Sequence, residues 1–189
     1  ALTRSQALEL LSDRPGTLEG LRDYAMINLM LRRGLRTIEV ARADIGDLRQ
    51  VNGEAVLYVQ GKGYAEKGDF VILNDACLRP LYAYLEARGE ADPSEPLFAG
   101  IGNRNSGGRL TTRTVSRIVK KTMEDHGISS AHLTAHSLRH TAVTFALLGG
   151  ASVQEAQAMA RHASIETTMI YAHNIDRMKA GAEHSVDAF

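Results

Sequence analysis

A chain of 189 residues with 44% hydrophobic and 23% charged residues is typical of a globular protein with one sizeable core. Its formal net charge of zero does not indicate a polyanionic partner, and its short, charge-interrupted apolar runs exclude a membrane-spanning segment. Because Cys77 is the single cysteine, the chain cannot form an internal disulfide. The first residues lack the pattern of a signal peptide, and together these two features predict a cytoplasmic protein.

The first part of the chain predicts three helices. Thr3 and Gln6 form a capping-box pattern that begins the first helix. Thr17 is the expected N-cap of a second helix, which ends at Gly34, and a short third helix is predicted over 36–41. The predicted buried stripe of the second helix consists of Leu18, Leu21, Ala25 and Leu29.

Strand-like sequence follows these helices. Asn52 and Gly53 are typical of a two-residue hairpin turn. Two β-rich runs, over 55–60 and 70–73, come next and are separated by a polar turn. We expect three strands in a small antiparallel sheet.

Helical patterns return after Asn74 and dominate the rest of the chain. The inward residues expected in the helix after Asn74 are Leu78, Leu81, Tyr82 and Leu85. Further helices are expected from Thr111 to Gly127 and after the N-caps Thr134, Ser152 and Ser164. The last helix is predicted to be short, over 165–173. These elements predict an α+β fold, mostly α-helical with a small three-stranded antiparallel sheet, in one domain over 1–189.

The helix after Thr134 places His136 and Arg139 on one face of its first turns. Unpaired N–H groups and the positive end of the helix dipole favour an anion there, and an arginine can grip a phosphate with two hydrogen bonds. For this segment alone the alternative stays open, in which the histidine is a cap and the arginine forms a surface ion pair.

Other positions carry candidate chemistry, each with an ordinary alternative. Arg36 and Glu39 lie three residues apart on a predicted helix, so the acid could hold the arginine in place or form a simple surface pair. Lys62 lies between two glycines at a hairpin tip and could extend into a cleft. His162 and Tyr171 lie near the end of the chain, where a packing role is the alternative for the tyrosine.

Residues 101–123 contain six basic side chains and no acidic ones. Such a block could follow the phosphate backbone of a nucleic acid, or it could form a solvated helix face. Its candidate DNA contacts are Arg109, Arg113, Arg117 and Lys120.

The order and spacing of these signals carry more weight than any one of them. "GLRTIE" (34–39), the lysine between glycines, "HSLRH" (136–140), "ARHAS" (160–164) and "IYAH" (170–173) follow one another along the chain. In this order they resemble the tyrosine recombinase family, the phage and transposon integrases. The active-site residues that the resemblance implies are Arg36, Lys62, His136, Arg139, His162 and Tyr171, with Glu39 in a supporting role.

The resemblance implies a transesterification at a DNA phosphodiester. Tyr171 would attack the phosphorus to give a 3′-phosphotyrosyl link and a free 5′-hydroxyl. Arg36 and Arg139 would hold the non-bridging oxygens, and Lys62 would protonate the leaving oxygen.

The two implied histidines complete this chemistry. His136 would assist proton transfer at the tyrosine, and His162 would hydrogen-bond the phosphate. Because one phosphodiester is exchanged for another, we expect neither a cofactor nor a metal ion.

The implied partner is double-stranded DNA, with assembly as a tetramer on paired DNA sites and a monomer when free. The family's N-terminal core-binding domain is expected to be absent from this chain, so we expect weak DNA binding by the chain alone. One departure is Arg161, where the family commonly has a glycine before the histidine. This arginine could add a DNA contact or tilt His162.

Three other functions stay open at this point. A type IB topoisomerase-like enzyme would share the chemistry without bringing two DNA sites together, and a DNA-binding module could have lost catalysis. A metalloenzyme is disfavoured because the sequence contains no HExxH motif and no paired Cys/His spacing. Its ligands would be His136, His140, His162 and His173.

Overall fold

The computed structural model describes residues 1–61, 63, 65–103 and 105–180 of the chain. Over these residues the helices are α1 (Arg4–Leu11), α2 (Leu18–Arg33), α3 (Thr37–Arg42), α4 (Asp75–Arg88), α5 (Thr112–Asp125), α6 (Ala135–Leu148), α7 (Val153–Ala160) and α8 (Ile165–Ala180). The strands are β1 (Leu48–Val51), β2 (Glu54–Val59) and β3 (Asp69–Leu73), and a 3-10 turn at Ile45–Asp47 precedes β1. The predicted fold class is therefore confirmed.

Helix α2 lies at the centre of the fold. It begins at Thr17, whose side-chain oxygen accepts a hydrogen bond from the N–H of Gly20 at 3.1 Å. Residues 25–31 are buried without interruption, because α1, α4, α5 and α6 all pack against this helix. The predicted stripe was too narrow for an element that is covered on several sides. The helix ends at Gly34, whose φ of 62° is the left-handed conformation that glycine adopts without strain.

The three strands form an antiparallel sheet in the order β1-β2-β3, as predicted. Asn52 and Gly53, both with positive φ, form the turn between β1 and β2. Strand side chains that face the core include Ala55, Leu57, Val59, Val71 and Leu73. On the opposite face Tyr58 packs against Phe70, with ring centroids 5.8 Å apart. The sheet thus has one core face and one half-exposed aromatic face.

The predicted inward face of α4 was wrong at one position. Tyr82 is 46% exposed, whereas Tyr84 is 1% exposed, stacks on Phe98 and accepts a hydrogen bond from the N–H of Ala99. Successive helical residues are about 100° apart, so Leu81 and Tyr84 share a face while Tyr82 turns away from it. Cys77 is buried on the same face, and burial raises the pKa of its thiol, which makes it an unreactive core residue.

The C-terminal helices follow the predicted order, with one difference in length. Thr111 and Ser152 cap α5 and α7 as the sequence indicated, and Ser164 accepts a hydrogen bond from the N–H of Glu166 at the start of α8. Helix α8 continues well past the predicted end near 173, because the sequence contains no glycine or proline from 165 to 180. None of the described helices has the length and apolar character needed to cross a membrane.

Candidate active site

Of the two arginines predicted for the active site, Arg139 on α6 is the more buried, at 2% exposure. Its guanidinium group donates hydrogen bonds to the carbonyl of Gly34, at 2.6 Å, and to the carbonyl of Ala160. Gly34 follows the last residue of α2, and Ala160 is the last residue of α7. Carbonyls at helix C-termini have no intrahelical partner, so the arginine of α6 satisfies two helix ends and fixes their relative position.

Arg36 lies beside this junction, at the N-cap of α3. One nitrogen of its guanidinium group contacts Glu39 at 3.0 Å, and another donates to the carbonyl of Arg161 at 3.1 Å. The backbone N–H of Arg36 also donates to Glu39, at 2.7 Å, as in a capping box. The Arg36 side chain keeps 33% of its surface exposed, so it is held on one side and open to a ligand on the other.

The sequence left two roles open for Arg161, a DNA contact or a tilt of His162, and did not predict its contact with Glu39. Its side chain is 4% exposed and forms a two-point ion pair with Glu39, through Nε at 3.0 Å and Nη2 at 2.6 Å. The other donors of its guanidinium group are directed at the backbone carbonyls of Met159 and Gly34, so the side chain is engaged within the protein. Burial disfavours the charge of Glu39, but hydrogen bonds from Arg161 and Arg36 outweigh it and hold the pKa of the carboxyl below its usual range.

Four aromatic rings form the other side of the site. The rings of His136 and His140 meet edge to face with centroids 4.6 Å apart. The ring of Tyr171 lies 5.0 Å from that of His140 and 6.2 Å from that of His162. Nδ1 of His162 lies 2.8 Å from the hydroxyl of Thr168, which fixes the orientation of the imidazole. Tyr171 on α8 is thus placed among histidines from α6 and from the turn after α7.

The charges of the site favour an anion. Burial and the neighbouring Arg36 lower the pKa of Arg139 to about 10, and burial with the nearby arginines lowers the pKa of His162 to about 4. Burial, and then Arg139, also lowers the pKa of His136. At neutral pH the site therefore has charged arginines and neutral histidines. Burial raises the pKa of Tyr171, although Arg139 opposes the shift, so the phenol is protonated at neutral pH.

A cavity of about 510 Å³ opens beside the arginines. Arg36, Glu39 and Arg161 line one wall, and residues of the β2–β3 hairpin, among them Gly61 and Ala65, line the facing wall. Lys62, the predicted general acid, lies outside the described residues. Its role stays a prediction.

Comparison with known proteins identifies the family. A family model described as "Phage integrase family" matches residues 1–178. The chain belongs to the phage integrase family. The resemblance predicted from the motifs is therefore confirmed.

Curated relatives of this integrase-family chain are named tyrosine recombinases. Tyrosine recombinase XerC of Corynebacterium efficiens is 37% identical over 153 residues, covering 80% of the chain and 46% of that protein. XerC of Pelobacter propionicus is 36% identical over 161 residues, covering 84% of the chain and 50% of that protein. The chain spans about half the length of these curated relatives.

Solved structures share the integrase fold. The crystal structure of XerA recombinase matches with a TM-score of 0.73 and 28% identity, over 91% of this chain and 59% of that one. XerH site-specific recombinase, bound to palindromic difH substrate in a post-cleavage complex, matches with a TM-score of 0.75 and 21% identity. That match covers 100% of this chain and 53% of the XerH chain.

The four candidate DNA contacts of the integrase chain fall into two groups. Arg109 donates to the carbonyls of Ala41 and Ala43 and pairs with Asp44, and Lys120 donates to the carbonyl of Ser130 at 2.5 Å. These two side chains have structural partners that hold loops in place. By contrast, Arg113 and Arg117 are exposed on α5.

The histidines do not form a metal-binding cluster in the described part of the chain, where no group of three or more His, Cys, Asp or Glu side chains is arranged to hold a metal ion. His173, the fourth predicted ligand of the metalloenzyme alternative, is exposed on α8. The arrangement of His136, His140 and His162 is explained by their contacts with Tyr171, Thr168 and one another.

The low pKa of His162 predicts a pH-dependent stability. Between pH 6.5, the usual pKa of histidine, and about 4, its pKa here, the unfolded chain binds a proton that the folded chain does not. The contribution of His162 to the free energy of unfolding is therefore fully present above pH 6.5. It is lost as the pH falls through 4. Thermal unfolding at several pH values should show a shallower loss of Tm on acidification for His162→Gln than for the wild type.

The matched control for this titration is His132→Gln, which removes an exposed histidine from the loop before α6. It should keep the wild-type pH dependence. Because carboxylates titrate in the same pH range, the difference between the two variants is the informative quantity. Parallel pH profiles for His162→Gln and the wild type would contradict the assignment.

Proposed function

We propose that this chain is the catalytic domain of a site-specific tyrosine recombinase that cleaves and rejoins double-stranded DNA through a 3′-phosphotyrosyl intermediate. One observation carries the proposal: a tyrosine, two arginines and two histidines that are far apart in sequence form one site. These residues are Arg36, His136, Arg139, His162 and Tyr171.

The arginines suit a phosphodiester at the moment of attack. Negative charge grows on the non-bridging oxygens, and fixed cations in a partly buried site stabilise it more than they would in water. Arg139 is held by two helix ends and Arg36 by Glu39 and a backbone carbonyl, so neither has to be reoriented during the reaction. Exchange of one phosphodiester for another conserves bond energy, so the proposed reaction uses neither ATP nor a metal ion.

The proton of Tyr171 has to leave before or during attack. Its raised pKa makes the protonated phenol a weak nucleophile, and a neighbouring neutral imidazole is a suitable proton acceptor. We assign this role to His136, with the ring of His140 in contact with both it and Tyr171. We further assign His162 a hydrogen bond to the phosphate and Lys62 the protonation of the leaving 5′ oxygen.

Relatives that have been captured on DNA support the proposed substrate. XerH has been captured on its difH DNA before and after cleavage, and the Tn1549 transposon integrase on circular intermediate DNA. For this chain we propose double-stranded DNA as substrate, a tetramer on paired sites, a monomer when free, and action in the cytoplasm.

A nicked suicide substrate tests the proposed function. It should trap a covalent protein–DNA adduct in the presence of EDTA, because cleavage without religation leaves the enzyme attached. The assay should use this chain. Strand exchange between two sites would establish recombination, whereas relaxation of supercoiled DNA alone would indicate a topoisomerase. Specific binding without any adduct would contradict the catalytic proposal.

Arg113 and Arg117 on α5 are proposed to contact the DNA backbone. Replacing both with alanine should weaken binding and reduce the magnitude of the log K against log salt slope by about 2, roughly one for each lost phosphate contact. Fluorescence anisotropy with labelled duplex at several salt concentrations measures this slope.

The control for α5 removes the same charge elsewhere. Arg4 and Arg79 are exposed on α1 and α4, and their double alanine variant should change the slope less. Equal slopes for the two double variants would show that net charge, and not the α5 surface, determines the salt dependence.

A further inference from the structure

Glu39 receives more hydrogen bonds than the support of one arginine requires. Its Oε1 accepts from the side chains of Arg36 and Arg161, both at 3.0 Å. Its Oε2 accepts from the backbone N–H of Arg36 at 2.7 Å and from Arg161 at 2.6 Å. The carboxylate is 1% exposed. Each oxygen of this buried carboxylate accepts two hydrogen bonds, so its hydrogen-bonding capacity is well satisfied. Two of the four hydrogen bonds come from Arg161.

Arg161 occupies a backbone conformation that normally selects glycine. It has a φ of 54°, in the left-handed region, at the end of α7. A long β-carbon-bearing side chain is disfavoured there, so its presence needs a compensating interaction. The two-point pair with Glu39, on a different element 122 positions earlier in the chain, is that interaction.

The ion pair between Arg161 and Glu39 changes the net charge around Arg36. Arg36 and Glu39 alone would sum to zero, so the carboxylate would compete with a phosphate for Arg36. With Arg161 the three groups carry one net positive charge. The backbone carbonyl of Arg161 also accepts from Arg36 at 3.1 Å, so the same residue orients that guanidinium group directly.

We propose that Arg161 is a positioning residue that neutralises Glu39 and thereby leaves Arg36 available to a DNA phosphate. The inference rests on the proposed function, since it assigns a role within the same phosphate site. It does not require Arg161 to touch DNA, and its two-point pair with Glu39 fits a role exercised through Arg36.

Arg161→Gly is the main test, because glycine suits the left-handed backbone and removes only the side chain. Single-turnover cleavage of the suicide substrate should slow on the order of tenfold or more, as is typical when a partner that orients a functional group is lost. Adding Glu39→Gln should restore most of the rate, since a neutral amide no longer competes for Arg36. Arg161→Lys keeps the positive charge but loses the two-point hydrogen bonding of the guanidinium group. Its cleavage rate should lie between those of Arg161→Gly and the wild type.

The rescue distinguishes this role from a purely structural one. A double variant as slow as Arg161→Gly would overturn the proposal, and so would a wild-type rate in Arg161→Gly. Equal rates for the lysine and glycine variants would also count against it. Thermal unfolding of each variant should show that the protein is folded under the assay conditions.

A second readout does not depend on cleavage. The pKa of the Glu39 carboxyl, followed by NMR in the ligand-free protein, should be higher in Arg161→Gly than in the wild type. An unchanged pKa would overturn the inference even if cleavage is slowed. If the wild type forms no adduct with any DNA, the proposed function fails, and this titration still decides whether Arg161 neutralises Glu39.

Discussion

Tyr171→Phe is expected to abolish the covalent protein–DNA adduct and to leave DNA affinity nearly unchanged. The substitution removes one hydroxyl and keeps the ring that packs against His140 and His162. The arginines that we propose to bind the phosphate are untouched, so binding should persist while attack on the phosphorus becomes impossible. Denaturing gels with a nicked suicide substrate measure the adduct, and anisotropy measures affinity.

Tyr82→Phe is the matched control, because Tyr82 is exposed on α4 and has no part in the site. That variant should form adduct at the wild-type rate. An adduct that persists in Tyr171→Phe would mean that another side chain is the nucleophile. Loss of DNA binding in Tyr171→Phe would instead assign the hydroxyl to substrate recognition.

Arg139→Ala should reduce the cleavage rate by about 10²-fold or more, which corresponds to roughly 2.7 kcal/mol of lost transition-state stabilisation. The guanidinium group is fixed by the carbonyls of Gly34 and Ala160 before DNA arrives. Its proposed contact with the phosphate stabilises the transition state more than the ground state, because negative charge develops on the phosphate oxygens during attack. The rate constant for adduct formation at saturating protein is the quantity to compare.

Because Arg139 also joins two helix ends, its loss should lower Tm, and stability has to be separated from catalysis. Arg22 offers the comparison: it is 4% exposed, pairs with Asp23 and donates to the carbonyl of Ala99. Arg22→Ala should destabilise the fold but leave the cleavage rate of the folded protein unchanged. A cleavage rate for Arg139→Ala close to that of Arg22→Ala would contradict the catalytic assignment.

Local signals in the sequence predicted the elements well where the determining contacts are themselves local. The capping boxes at Thr3 and Ser152 and the Asn52–Gly53 turn each depend on residues within a few positions, and the structure confirms them. The face of α4 was wrong at Tyr82 because that choice depends on where Phe98 lies in the folded chain. The burial of α2 on several sides likewise depends on helices that arrive later in the sequence.

The candidate site shows the same division. Its residues were chosen because their order resembles a family, and periodicity alone could not have joined Arg139 to Gly34, which lies 105 positions earlier. The pairing of Arg161 with Glu39 was missed, since sequence spacing gives no sign of a contact over 122 positions. The available signal was Arg161 itself, a departure from the glycine that the resemblance implied, and its partner could be identified only from the fold.

Arg36 and Arg139 are proposed to bind one and the same DNA phosphate, facing residue 171. A crystal structure of the Tyr171→Phe variant bound to a DNA site that the wild type cleaves would test it most directly. We predict one phosphodiester whose non-bridging oxygens lie about 2.7–3.2 Å from guanidinium nitrogens of both arginines, with the ring of residue 171 beside the phosphorus. Arginines that contact different phosphates, or DNA bound on another face of the domain, would contradict the account.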